Sequence, residues 1–428
     1  MVVPHLSRML GALAGVAAAV LVGASVSASG AATPQVLDDS QLNPQSATLG
    51  GASPLSTSRT VQHWFGQTLD PHNGVTYGYN MVGFAPSTNS SATIPVDIIP
   101  LDINVGGSSY NGTDRVGAVL ASPLFQNGDY STTTAATDNM GLKGPGGALS
   151  AGNAGVQLED ATMRAQFNKV GTGYHVILGT SVVHAPITIN VPAEHGTQIT
   201  NVRGITFADV NINWFAAQLQ NLNSSLGYID PTHLPLYVTN EVMLYIGQNP
   251  GNCCVIGFHG AGIVPGFSNG PGNGAGTQPV LTYAWASWVV PGTFRIAPTA
   301  TRLADWALQD IHALSHEIAE WADDPFVNNF VEPWLTPTAP QYGCSNFLET
   351  GDPVVGIGFS NGVNTTDQNK YADGTYHPED EVYLPWFMRT APNTVSQPTQ
   401  SPSTNIGRYT LMGDLNPFPG FRAPATGC

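Results

Sequence analysis

From Leu303 to Asn369 the chain contains no lysine or arginine, yet Asp305, Asp310, Glu317, Glu320, Asp323, Asp324, Glu332, Glu349, Asp352 and Asp367 all fall inside it. Carboxylates this close repel one another unless protons, water or a metal cation offset their charge. A fold built on this stretch either gathers the acids around a cation or spreads them out in water. The stretch opens with a long helix over Thr301–Asp323, stopped by Asp324-Pro325. At about 100° per residue, Leu303, Ala307, Ile311, Leu314, Ile318 and Trp321 share one side and should face a core. Asp305, Gln309, His312, His316, Glu320 and Asp323 lie opposite, within an arc of roughly 80°, with Glu317 and Asp324 just beyond its edge.

The acidic face contains the pattern H-E-x-x-E over His316, Glu317 and Glu320. Residues i and i+4 sit on adjacent turns, so His316 and Glu320 can supply two ligands to one divalent ion. A straight helix rarely offers a third, which must come from elsewhere. The segment Cys344–Asp352 holds the leading candidates, Glu349 and Asp352, with Asp324 and His312 as rivals. Glu317, angled away from the first ligand, is placed to take a proton from an attacking water. The bland reading of the same letters is a solvated acidic face carrying a histidine. His312 and His377 read as surface or supporting histidines, and His259, in GFHG, as a residue that could line a cleft. Glu317 and Glu320, three residues apart, could also work as a metal-free acid pair.

The first 32 residues read as a secretory signal: His5 and Arg8, an apolar run from Met9 to Val26, then small residues with a cleavage site near Ala28 to Ala32. No later run is long enough to span a bilayer, so the expected product is exported, without a membrane span. A formal net charge of −16 repels nucleic acid and acidic lipid, and favours divalent cations and neutral or basic substrates. An even set of cysteines (Cys253, Cys254, Cys344, Cys428) in an exported chain points to disulfides. The vicinal pairing is the least attractive, so Cys253 and Cys254 are expected to bridge separately to Cys344 and Cys428.

Residues 33–60 read as an extended arm and 61–200 as a β-rich region. The core spans 201–389, and 390–428 form a linker and tail. Strands are predicted at Gly74–Phe84, Ile94–Val105, Leu234–Ile246, Cys253–Phe258 and Val280–Val290, and a hairpin-like pair at Tyr174–Ser181 and Pro186–Pro192. Helices are predicted at Leu158–Val170 and Phe207–Leu226, and glycine-rich loops at Asn139–Gly155 and Gly260–Gly276. Strands before and a helix after, without regular alternation, indicate an α+β fold with a mixed sheet and an irregular C-terminal part.

The segments LSHEIAEWADDPFVNN, CCVIGFHGA, YGCSNFLETGDP and EVYLPWF resemble a group of exported bacterial proteins with a zincin-like core. They are also distantly similar to the plant phosphate-induced, EXORDIUM-like proteins. The resemblance covers roughly Leu234 to Met388. It implies a zinc metallopeptidase-like hydrolase acting on peptides or proteins, with His316 as ligand and Glu317 as general base. In the zincin pattern H-E-x-x-H the second histidine falls on Glu320 here, which makes this ligand anionic. The EXORDIUM-like side of the resemblance implies a secreted protein without an established catalytic role. The rival to an enzyme is a non-catalytic secreted or cell-surface binding protein on a degenerate zincin scaffold, where oxygen ligands such as Asp323, Asp324, Glu349 and Asp352 would suit calcium better than zinc.

Overall fold

The structure, a computed structural model, describes residues 60–130, 154–263, 279–294, 309–337, 343–355, 357–391, 409–411 and 423–428. The expected signal segment, nearly all of the arm, the start of the long helix with Leu303, Asp305 and Ala307, and most of the linker lie outside the described residues.

An antiparallel hairpin, β1 (His63–Leu69) and β2 (Thr76–Val82), precedes the long strand β3 (Ser91–Val105). Gly106 and Gly107, both at positive φ, turn the chain in two residues into β4 (Ser108–Asn111), a conformation that favours glycine. Then come α1 (Val116–Ala121), a short pairing of β5 (Gly128–Asp129) with β6 (Ala154–Val156), and α2 (Leu158–Gln166).

The predicted hairpin over 174–192 does not form. β7 (His175–Val183) and β8 (Ile187–Asn190) instead lie parallel to β3, one after the other along its length. Their connection, His184-Ala185-Pro186, lacks the Gly or Asn that a tight reversal needs, and Pro186 cannot donate to a ladder. The predicted helix over 207–226 also divides. Thr206–Asn211 is β10, paired on one side with β9 (Gly196–Thr200), and only Ile212–Ser225 is helical, as α3. Asn211 sets that boundary, because its side chain accepts the Trp214 N–H as an N-cap.

The predicted strand Leu234–Ile246 breaks at Glu241, which has a φ of 53°. Its halves, β11 (Leu234–Asn240) and β12 (Val242–Tyr245), belong to different sheets. β12 joins β10, β9 and β13 (Cys253–Val255) in a four-stranded sheet. β14 (Gly257–Ile263) takes in the first residues of the predicted glycine loop and pairs antiparallel with β15 (Val280–Trp288).

The central sheet runs β14-β15-β11-β3, with β4, β7 and β8 along β3; β15, β11 and β3 are mutually parallel. Strands on both sides of residue 200 interleave here, so the β-rich region and the core share one sheet. α4 (His312–Asp323) covers one face, packed on β14 and β15, with Leu314, Ile318 and Trp321 against Val96, Val238 and Trp288 in one core. The other face meets α3, where Phe215 and Leu219 join Ile99, Leu101, Tyr237 and Trp285. Covered on both sides, β15 is buried at every position, which explains a largely apolar run interrupted only by the hydrogen-bonded Thr282 and Ser287.

After α4 come β16 (Phe330–Leu335), β17 (Cys344–Phe347) and α5 (Leu384–Phe387), all in the irregular C-terminal part that folds back over the helix. The disulfides differ from expectation: Cys253 pairs with Cys254 and Cys344 with Cys428. β17 and the chain end meet because Leu335, the register partner of Cys344, donates its N–H to the Thr426 carbonyl. Cys253 and Cys254 sit on β13, in a different sheet.

Candidate metal centre on the buried acidic helix

α4 starts at His312 within the described residues, and all of its residues are buried. Trp321 anchors its apolar side by donating Nε1–H to Thr282 Oγ1 of β15 at 2.9 Å. At its end, Asp324 accepts the N–H groups of Asn328 and Asn329, and Pro325 follows. The acidic side is covered by Glu349–Val354 and His377–Val382, so the face that the sequence allows to be exposed is buried. His316 and Glu320 are 0 % exposed, and Glu317 and Asp352 are 1 %.

Glu379, which sequence reasoning missed, clamps two histidines one turn apart. Its Oε2 lies 2.8 Å from His316 Nδ1 and 3.0 Å from His312 Nε2. The hint in the sequence is Glu379-Asp380-Glu381, the one run of three consecutive acids in the chain. With Nδ1 held by Glu379, the His316 ring turns Nε2 toward the other carboxylates. Nε2 lies 3.1 Å from Glu320 Oε2, 3.9 Å from Asp352 Oδ1 and 4.0 Å from Glu317 Oε1, and makes no hydrogen bond. Glu320 is oriented from its far side, where Oε1 accepts the N–H groups of Gly351 and Asp352 at 3.2 and 3.3 Å. Its Oε2 and both Asp352 carboxylate oxygens are buried without a hydrogen bond. Ligand atoms of His316, Glu320 and Asp352 all lie within 4.8 Å of one another.

Two glycines make room for this arrangement. A Cβ on Gly351 would stand 2.3 Å from His316 Nδ1, and one on Gly257 of β14 would stand 2.6 Å from Glu317 Oε1. Glu317 leans toward β14, where its Oε2 is 3.4 Å from His259 Nδ1.

The remaining candidates are occupied elsewhere. Glu349 is buried beside Glu320 but is not among the residues whose ligand atoms cluster with His316 Nε2. Asp324 is used by the turn after the helix, Asp323 accepts from Gln166, and His312 is held by Glu379. His377 spans Asp310 and Asp373, away from the cluster.

Charge in this pocket follows from burial and near neighbours. Burial disfavours the charged His316, but the flanking Glu320 and Glu379 outweigh it and hold its pKa well above the usual histidine range. Burial raises Glu320, and the adjacent His316 more than reverses this, leaving its pKa below the ordinary value. Burial pushes Glu317 up to about 7 despite His259 and His316. Glu349 and Asp352 are raised well above the carboxylate range, first by burial and then by the Glu320 charge.

The chain matches no protein-family model, no curated protein and no solved structure.

Proposed function

We propose that the chain is an exported, zincin-like metal-dependent hydrolase that cleaves peptide bonds. The observation that carries this reading is the set of buried ligand atoms left without hydrogen bonds at one point: His316 Nε2, Glu320 Oε2 and the two Asp352 oxygens. Burying Asp352 with neither oxygen hydrogen-bonded, beside a Glu320 whose Oε2 faces only His316, is costly, and a dication is a group that would offset the cost. The spacings of 3.1 and 3.9 Å from His316 Nε2 bracket the roughly 3.3 Å expected between donors bound to a tetrahedral zinc ion. An imidazole donor favours zinc or a similar transition ion over calcium, which takes oxygen ligands.

An ion bound by His316, Glu320 and Asp352 would polarise a carbonyl and acidify an attacking water. Glu317, whose Oε1 lies 4.0 Å from His316 Nε2, accepts the proton and returns it to the leaving amine. Glu379 holds the His316 ring, and the backbone of Gly351 and Asp352 holds Glu320. Export is supported by the apolar N-terminal segment and by disulfides, which suit an oxidising compartment. No helix among the described residues is long and apolar enough to cross a membrane.

Elemental analysis of the purified protein tests the metal: about one equivalent is expected, lost in His316→Ala, and a metal-free wild type would sink the reading. Casein or peptide turnover tests the base. Glu317→Gln should lower turnover at least about 100-fold while the metal stays bound, and undiminished activity would remove Glu317 from the role. The closure of the pocket supports a second reading, a secreted binding protein whose metal is structural, since structural sites are closed and catalytic ones keep an open position. Stoichiometric metal without turnover would favour it.

A further inference from the structure

Glu320 Oε2 has a second neighbour: it lies 3.1 Å from His316 Nε2 on one side and 3.7 Å from His259 Nδ1 on the other, fully buried and hydrogen-bonded to neither. His259 arrives from β14, its side chain 4 % exposed, with Nδ1 also 3.4 Å from Glu317 Oε2. Ligand atoms of His259, Glu317 and Glu320 again lie within 4.8 Å of one another. We propose that these three residues form a second divalent-cation site, adjoining the first and sharing Glu320 with it. Filling the second site withdraws Glu317 from proton transfer, so excess metal switches the centre off.

The alternative is that His259 merely pairs with the two acids. Histidine–carboxylate pairs elsewhere in this molecule are short: His175–Asp160 and His184–Asp97 are both 2.7 Å, His316 Nδ1–Glu379 is 2.8 Å and His233–Asp97 is 2.9 Å. Such lengths are normal for charge-assisted hydrogen bonds. His259 Nδ1 makes a long hydrogen bond to Glu317 Oε2 at 3.4 Å and lies 3.7 Å from Glu320 Oε2, beyond hydrogen-bond reach; both separations exceed those of the short pairs and are close to the roughly 3.3 Å between donors on one tetrahedral ion. Apart from His316 Nε2 at the first site, the other long case among the described residues is His377, where the ring spans two acids at 3.5 and 3.3 Å and also contacts Thr375.

Charge argues the same way. One dication balances Glu320 and Asp352, which leaves Glu317 and Glu379 buried, with no Lys or Arg anywhere between Leu303 and Asn369. A second dication matches those two charges, and Gly257 leaves the space that keeps Glu317 turned toward His259.

This inference rests on reading His316, Glu320 and Asp352 as the first site, and the test separates the two. Metal-free protein is titrated with zinc and, in parallel, with cobalt(II), following stoichiometry by calorimetry and elemental analysis, and cobalt coupling by electron paramagnetic resonance. Wild type should bind two equivalents, the second weaker and attenuating the cobalt signal of the first. His259→Ala and the milder His259→Gln, each checked for folding by circular dichroism, should bind one. Saturation of wild type at one equivalent, or two equivalents in both folded variants, would overturn the second site and leave the first standing; no binding at all would overturn both.

Discussion

Gly351 stands against His316 with a φ of −82°, a value any residue adopts, so a side chain there is excluded by space alone. Gly351→Ala drives a methyl against the same His316 Nδ1 that Glu379 holds. It should cost about 1–3 kcal/mol of stability and weaken metal binding by at least about tenfold. Denaturant unfolding and a competitive zinc titration check the two effects, and wild-type metal affinity in a folded variant would refute the account. His316, Glu317, Glu320 and Asp352 were legible as candidates because H-E-x-x-E has a fixed helical geometry and because a chain segment without basic residues must dispose of its charge. Glu379 was not legible, since its role depends on a return of the chain over more than a helix length that no local pattern encodes. Nor was the value of Gly257 and Gly351, which lies in what they omit.

At the scale of elements, period and capping explain both success and failure. The apolar side of α4 and the two-residue Gly106-Gly107 turn follow directly from local rules. β10 was misread because Phe207–Asn211 is buried throughout and loses the alternation that marks a strand, while the helical spacing of Phe215, Leu219 and Leu222 runs on behind it. The disulfides were misassigned because connectivity is a tertiary fact. Their consequences for stability should differ. Cys344–Cys428 closes a loop with a sequence separation of 84, so Cys428→Ser should cost about 2–4 kcal/mol in a denaturant titration under oxidising conditions. Cys253–Cys254 closes almost no loop, so the double change Cys253→Ser/Cys254→Ser should cost less. An equal or larger loss from the vicinal pair would contradict this ranking.

Across the whole molecule, the three-layer packing buries ionisable groups far from the centre as well. Asp209 of β10 is fully buried, neither carboxylate oxygen has a hydrogen bond, and burial pushes its pKa up to about 8. A carboxyl whose folded pKa exceeds its unfolded value of about 3.9 stabilises the fold fully below that value. The contribution fades as pH rises and is lost as pH passes through about 8. Asp209→Asn should therefore gain on wild type between pH 4 and pH 8, by an amount on the order of a few kcal/mol. Thermal melts at several pH values check this, and parallel pH profiles for the two proteins would count against it.

The backward fold of the C-terminal part also orders events in time. Asp352 and Glu379 emerge from synthesis well after α4, so a nascent chain that has completed the helix still lacks a third ligand and the clamp on His316. Until they arrive, α4 has no cover and its carboxylates can stay in water. The buried pocket is thus among the last parts of the molecule to form, and the metal proposed for it would be captured only once the chain is nearly whole.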